Sequence, residues 1–375
     1  MGDRRMKRAA ALAYGAGRMR WRRWMAVVSG GLLAIGSLTA HAAAARLNIH
    51  VLNDRLTLAV ARHPQVYLYG RIDADAPRRF EKLMKSGRIA PGSDVYLDAR
   101  EGEADAGMAL GRLIRQGGMA THLSAPRKTF PHAGASRTAE CVDACAYAFF
   151  GGLYRWAPSG SDRLGLTLPK GATPALPAAV RGYLAQMQVD LGDLAPAPGA
   201  STGPVLWLSA ERLEKSGATN NGRLPPTASY DILSATPTLD LRQVDRKGEH
   251  RLTVTCRPGQ TLVAAYERVG ALHARQVVAR GARSYLELNG RPVLVANDGV
   301  SAEGDMLVIR RNFPPSELVD LLFAGSVGAW VDGRSAAFRD GFTLHPWGAY
   351  AKLKVFYHAC WRAAPWPPRA KVSAR

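Results

Sequence analysis

Cys141-Val-Asp-Ala-Cys-Ala-Tyr-Ala-Phe-Phe-Gly-Gly152 is the stretch on which the reading of this chain turns. Small and aromatic apolar residues follow one another, one acid stands between two cysteines, and a glycine pair ends the run. The pattern predicts a small-residue helix over Cys141–Gly151. Cysteines four apart on a helix bring their Cα atoms to about 6 Å, near the upper end of the disulfide range. Zinc binding is the rival reading. Against it, His132 is the one histidine within ten residues, and no further cysteine pair at ligand spacing follows.

Working outward, apolar strands and amphipathic helices alternate. Residues 43–60, with Arg46-Leu-Asn-Ile-His-Val-Leu52, read as a strand or extension, and Val66-Tyr-Leu-Tyr-Gly70 as a short strand. Asp75–Ser86 reads as a helix with Ala76, Phe80, Leu83 and Met84 on one face. Asp94–Asp98 is a strand, Gly107–Arg115 a helix, and Ala120–Leu123 a strand followed by a Pro/Gly-rich loop over 125–139. Beyond the cysteines come a strand at Arg163–Thr167, a helix at Pro177–Met187, and Ser209 placed to cap a helix over Ala210–Ser216. Such alternation predicts an α/β domain with a largely parallel sheet.

From about residue 228 the texture changes to short alternating strands: 252–256, 262–267, 284–288, 292–295 and 307–309. Asn289-Gly290 between two of them is a type I′ hairpin signal. Pro315–Ala324 reads as a helix, and segments at 336–344 and 355–360 close the chain. This half is expected to be a β-rich sandwich or barrel.

Three segments of the first half resemble the ClpP/crotonase superfamily. Val66-Tyr-Leu-Tyr-Gly-Arg-Ile72 is similar to its opening strand and turn. Val95–Glu103 with Gly107–Arg115 is similar to the strand, the S-P-G-G-type oxyanion turn and the helix that follows. Cys141–Gly152, then Arg155, then Leu164-Gly-Leu-Thr-Leu168 resembles the nucleophile segment and histidine strand of secreted bacterial ClpP-like proteins. Tyr183–Asp190 and Leu206-Trp-Leu-Ser209 extend the likeness, which covers about residues 46–220. The implied fold is a ClpP/crotonase-like spiral domain.

The resemblance also implies a serine nucleophile, a histidine base, an orienting carboxylate and backbone N–H groups for the oxyanion. This chain departs at each. Asp143 stands at the serine position and Thr167 at the histidine position. Arg100 and Glu101 replace the proline and first glycine of the oxyanion turn, leaving Gly102. Asp190 stands where the orienting acid would. Nucleophile and base act as a unit, so losing both leaves no route to serine-type peptide hydrolysis. Asp143 is expected instead to cap the helix that follows and sit favourably in its dipole. Arg100 and Glu101 read as a solvated turn.

Charge first points elsewhere. The 375 residues carry 50 Lys+Arg against 30 Asp+Glu, a formal +20 that invites nucleic acid or a membrane surface. Eight basic residues and one acid before residue 43 hold +7 of it, ahead of an apolar run, Met25–Ala40, and an Ala40-His-Ala42 site. That is a secretory signal peptide, with an uncleaved anchor as the rival. Met19 or Met25 is an alternative start, and Arg22-Arg23 gives only a faint twin-arginine signal. Arg362, Arg369, Lys371 and Arg375 put +4 in the tail. The remaining +9 over 43–361 is dispersed as isolated arginines, so no nucleic acid is expected.

The expected organisation is a signal peptide (1–42), a ClpP/crotonase-like domain (43–222), a β-rich domain (228–362) and a basic disordered tail (363–375). Export suits disulfides, and pairing within each half gives Cys141–Cys145 and Cys256–Cys360. The expected protein is periplasmic or secreted, with no cofactor, no metal and no transmembrane segment once the signal is cleaved. Its expected role is that of a pseudo-protease binding a polypeptide or envelope protein. Homo-oligomerisation is implied by the resemblance. A residual serine-protease-like or carboxylate-dependent hydrolase, with Glu101 and Asp143 as paired acids, and a polyanion or envelope-surface binder are the alternatives.

Overall fold

A computed structural model of the chain describes residues 46–124, 138–167, 176–192, 204–233, 235–314, 317–335 and 338–363. The expected signal peptide, His132, Ser136 and the tail from residue 364 lie outside them. A mixed α/β half is followed by two antiparallel sheets.

The first half comprises β1 (Leu47–Leu52), α1 (Arg55–Ala61), β2 (Gln65–Ile72), α2 (Ala76–Lys85), β3 (Asp94–Gly102), α3 (Ala104–Gln116) and β4 (Ala120–Leu123). It continues with β5 (Glu140–Val142), α4 (Ala144–Phe150), β6 (Tyr154–Arg155), β7 (Arg163–Thr167), α5 (Ala178–Gln186), β8 (Val205–Trp207) and α6 (Ala210–Lys215). Strands run in the order β1-β2-β3-β5-β7-β8, with β4 beside β3 and β6 beside β4. The pairings from β2 to β7 are parallel, while the edge strands β1 and β8 are antiparallel. The sheet forks at β3: Asp94–Leu97 pairs with β4, and Ala99 pairs with Cys141 of β5. Val66, Leu68, Val95, Leu97, Leu164 and Leu166 are buried, as expected of strands covered by helices.

Two expectations are corrected here. The helix over Cys141–Gly151 is a strand, a turn and a helix, because Cys141 is captured between Ala99 and Leu164 in the parallel ladder. Arg100 and Glu101 do not form a turn. β3 runs on through Gly102, which pairs with Ile72, and α3 starts two residues later.

The second half holds β9 (Thr227–Asp231), β10 (Thr238–Asp245), β11 (Gly248–Arg257), β12 (Gln260–Arg268), α7 (Ala271–Arg280), β13 (Gly281–Leu288) and β14 (Arg291–Val295). Then come β15 (Val300–Glu303), β16 (Met306–Phe313), α8 (Leu318–Leu322), β17 (Val327–Gly333), β18 (Arg339–Leu344) and α9 (Tyr350–Ala363). One sheet runs β15-β16-β12-β11-β10-β9 and the other β14-β13-β17-β18. Asn289 (φ 48°) and Gly290 (φ 78°) make the β13–β14 hairpin turn in the left-handed geometry a type I′ turn needs. The helix expected over Pro315–Ala324 is only the short α8, and 355–360 lies within a long closing helix, α9.

Each half has its own buried core, the first reaching from Leu47 to Ala218 and the second from Ala228 to Cys360. The β10–β11 turn joins them. Arg246 reaches the Asp94 carboxylate and donates to the Gly92 carbonyl at 2.9 Å, and the Tyr154 hydroxyl donates to the Asp245 carbonyl at 3.2 Å. Among the described residues, no helix is long and apolar enough to cross a membrane.

Candidate functional site

The site grows from the turn between β5 and α4. Asp143 occupies it with φ 46° and ψ −101°, a backbone state that is strained for a residue with a Cβ. Its N–H donates to the Gly165 carbonyl at 3.2 Å, and its carbonyl accepts from the Tyr147 N–H at 2.8 Å. The side chain does not cap α4, contrary to expectation. Its Oδ1 instead accepts the backbone N–H of Thr167 at 2.6 Å, at the end of β7. Asp143 and Thr167, the residues expected at the nucleophile and base positions, are therefore neighbours, but the contact is a carboxylate held by an amide.

Glycines bring the surrounding elements close enough to make this turn. A Cβ on Gly102 would lie 2.7 Å from Ile72 Cβ and 2.9 Å from Ala144 Cβ, so the end of β3 meets the first residue of α4 only as glycine. A Cβ on Gly107 would lie 2.2 Å from the Ala144 carbonyl oxygen, and one on Gly151 would lie 2.2 Å from that of Gly111. α3 and α4 thus cross at backbone contact along a glycine seam. The Cys141–Cys145 disulfide, with Cα atoms 5.0 Å apart, closes a ring around Asp143. It joins a strand to a helix rather than two turns of one helix. With both cysteines bonded to each other, the zinc reading of that pair falls away.

Buried Arg155 and half-buried Arg115 hold the far end of α4. Arg155 donates to the carbonyls of Phe150, Gly152, Met187 and Gly217. Arg115 donates to those of Gly151 and Gly152, both at 2.9 Å. These satisfy the helix's terminal carbonyls and place positive charge at its negative end. Burial, reinforced by the neighbouring Arg115 charge, pulls the Arg155 guanidinium down to about 9. Burial, with Asp143 nearby, pushes the Tyr147 phenol up to about 12. Arg155 belongs to the quoted motif, whereas Arg115 carried no signal beyond its place at the end of a helix.

The remaining expected residues are not gathered at the elbow. Glu101 is exposed and pairs with Arg71 at 3.2 Å. Arg100 pairs with Glu140 at 2.5 Å, so the solvated turn is instead a pair of strand-end ion pairs. Asp190 follows α5, where its N–H donates to the Ser216 carbonyl and its Oδ1 accepts from the Gly192 N–H at 2.9 Å. Among the described residues no hydrogen bond joins Asp190 to Thr167 or Glu101 to Asp143. Asp190 lines a cavity of about 800 Å³ together with Leu176, Leu184, Lys215 and the exposed Trp347. A second cavity of about 430 Å³ shares Asp190, Lys215 and Ser216 and extends to Trp207. These two adjoining cavities make up the groove beside Asp190.

One feature escaped the sequence reading. Tyr67, Tyr96, His122 and Trp156 stack in a row with centroids 4.8 Å apart at each step. The parallel register sets Tyr67 beside Tyr96 and Tyr96 beside His122, so the inter-strand spacing itself supplies the stacking distance. The His122 Nε2 lies 3.1 Å from Asp94 Oδ1, on the carboxylate that Arg246 also reaches. Read one at a time, these aromatics look like isolated strand residues.

The chain matches no protein-family model and no curated protein sequence. Among the described residues, no group of three or more His, Cys, Asp or Glu converges as metal ligands do.

Proposed function

We propose that the protein is an exported ClpP-like pseudo-protease, a non-catalytic scaffold whose groove binds an extended polypeptide of the cell envelope. The observation that carries this reading is the elbow. Asp143 keeps the strained strand-to-helix turn that would present a nucleophile, but its carboxylate is bound to the Thr167 N–H at 2.6 Å. Support for a ClpP/crotonase-type spiral comes from the fork at β3, the β5–α4 turn and the glycine seam beneath it. Support for export comes from two intramolecular disulfides, Cys141–Cys145 and Cys256–Cys360, which suit an oxidising compartment. The groove beside Asp190 combines apolar leucines, an exposed tryptophan and charges of both signs, the mixture an extended polypeptide presents in return.

The test pairs labelling with binding. The purified, unreduced protein is expected not to react with a fluorophosphonate and not to cleave a casein-derived peptide mixture. It is expected to bind those peptides with a change in tryptophan fluorescence that Trp347→Ala abolishes. Fluorophosphonate labelling, or cleavage lost in Asp143→Ala, would show a surviving hydrolase instead.

A further inference from the structure

The last helix carries an unused face. α9 buries Leu353, Phe356, Ala359 and Cys360 against the second core, and the Cys256–Cys360 disulfide fastens it there. Its outer side shows Lys354, Val355, His358, Trp361 and Arg362 to solvent. Beside it, α8 and the residue after it expose Val319 and Phe323. The Phe323 ring packs 6.1 Å from that of Tyr350 and 5.9 Å from that of Tyr357, which in turn lies 6.4 Å from Trp361. The result is a continuous aromatic patch at the surface, 38% exposed at Phe323 and 39% at Trp361.

The charge of α9 and of the sequence after it has one sign. From Tyr350 to Arg375 the sequence holds Lys352, Lys354, Arg362, Arg369, Lys371 and Arg375 with no aspartate or glutamate, and Trp366 adds a further aromatic. The acids of the neighbouring α8 segment are Asp320, which is exposed, and Glu317, whose carboxylate lies 3.9 Å from Arg311. Aromatic rings among cations, on a helix already anchored by its other face, match the boundary between lipid headgroups and acyl chains. A polyanion would engage the cations alone and leave the rings in water.

We propose that the outer face of α9, with Phe323 beside it, docks the protein onto an anionic lipid surface. The rings enter the headgroup region while Lys354 and Arg362 face the lipid phosphates. This contact is peripheral, lies outside the groove, and does not rest on the polypeptide-binding reading.

The experiment is vesicle flotation of the full chain with phosphatidylglycerol/phosphatidylethanolamine vesicles, compared with phosphatidylcholine vesicles, alongside quenching of tryptophan emission by brominated lipid. Binding to the anionic vesicles with quenching is expected, and it should weaken but persist as salt shortens the screening length. Each juxtamembrane cation lost is worth about fivefold in partitioning, so Lys354→Glu with Arg362→Glu is expected to weaken binding at least 25-fold. Trp361→Phe with Trp366→Phe is expected to retain binding and lose most of the quenching. Circular dichroism and a thiol assay confirm that each variant is folded and disulfide-bonded. Equal binding to both vesicle types, no binding to either, or quenching that survives in the Trp→Phe variant would overturn the proposal. So would heparin binding without any quenching by brominated lipid, which would identify a polyanion site.

Discussion

Replacing Asp143 by alanine and, separately, by glycine distinguishes the two contributions that meet at the elbow. The carboxylate accepts one charge-assisted bond, from the Thr167 N–H at 2.6 Å. Thr167 is exposed, so water replaces the lost partner. The loss belongs in the lower part of the range for such bonds, about 1–2 kcal/mol. Alanine suffers that loss and keeps the backbone strain of φ 46°. Glycine suffers it too, but recovers roughly 1–2 kcal/mol because it has no Cβ at this φ. Part of that gain, about 0.5–1 kcal/mol, is returned through glycine's greater freedom in the unfolded chain. The expected order is wild type most stable, glycine close behind, and alanine lowest, with Asp143→Asn in between because a neutral acceptor bonds more weakly. Urea unfolding of the unreduced protein measures the series at constant m-value. If alanine matches wild type, the Thr167 bond contributes nothing. If glycine is less stable than alanine by the full ~0.5–1 kcal/mol of its unfolded-chain freedom, the elbow is not strained, and the strained-turn reading of Asp143 fails.

Arg155→Met removes the donor to the Phe150, Gly152, Met187 and Gly217 carbonyls and is expected to destabilise by about 3 kcal/mol, relief of Arg115 repulsion notwithstanding; unchanged thermal unfolding would contradict the capping role. Burial raises the Glu267 carboxyl above its ordinary 4.5, against the opposing pull of His250 and Lys247 and with Asp340 and Asp245 adding to the rise. The folded state thus favours the protonated form, and stability is lost as pH climbs above 4.5 through the raised value. Glu267→Gln should therefore raise Tm at pH 8 and not at pH 4, and an equal shift at both would refute the assignment. Burial likewise holds Tyr96 and Tyr147 at about 12. Their neutral phenols favour the fold up to pH 10, and that contribution is lost between 10 and 12. Ultraviolet titration of the native protein should show two tyrosines ionising near 12 that ionise near 10 in urea, and uniform ionisation near 10 would count against the burial.

Much of the first half is legible because local pattern and burial agree there. Phe80 and Ala76 do face the core on α2, and Ser209 accepts from the Arg212 N–H at the start of α6. Failures cluster where long-range pairing overrides local preference. Cys141 looks helical beside its alanines, yet two parallel strands claim it. Arg100 and Glu101 look like turn residues, yet pairing with β2 carries β3 past them. α1 was invisible because it buries no residue and leaves Leu56 and Val60 in solvent, so no amphipathic pattern marks it. From the sequence, Asp143 is expected to cap α4. Its capping role failed because a positive φ takes the carboxylate to β7, and no sequence pattern encodes that direction.

By itself the sequence determined what this protein has to work with. Two cysteine pairs and an α/β half followed by β strands follow from residue identity and local periodicity. The tertiary structure alone decided what those residues do. It set the Asp143 carboxylate on the Thr167 amide, took Asp190 away to line a groove, stacked four rings through strand register, and left the aromatic, cationic face of α9 uncovered. The physical reason is one of range. Propensity and capping act over a few residues, whereas a side chain's direction depends on which strand or helix, distant in sequence, packs beside it.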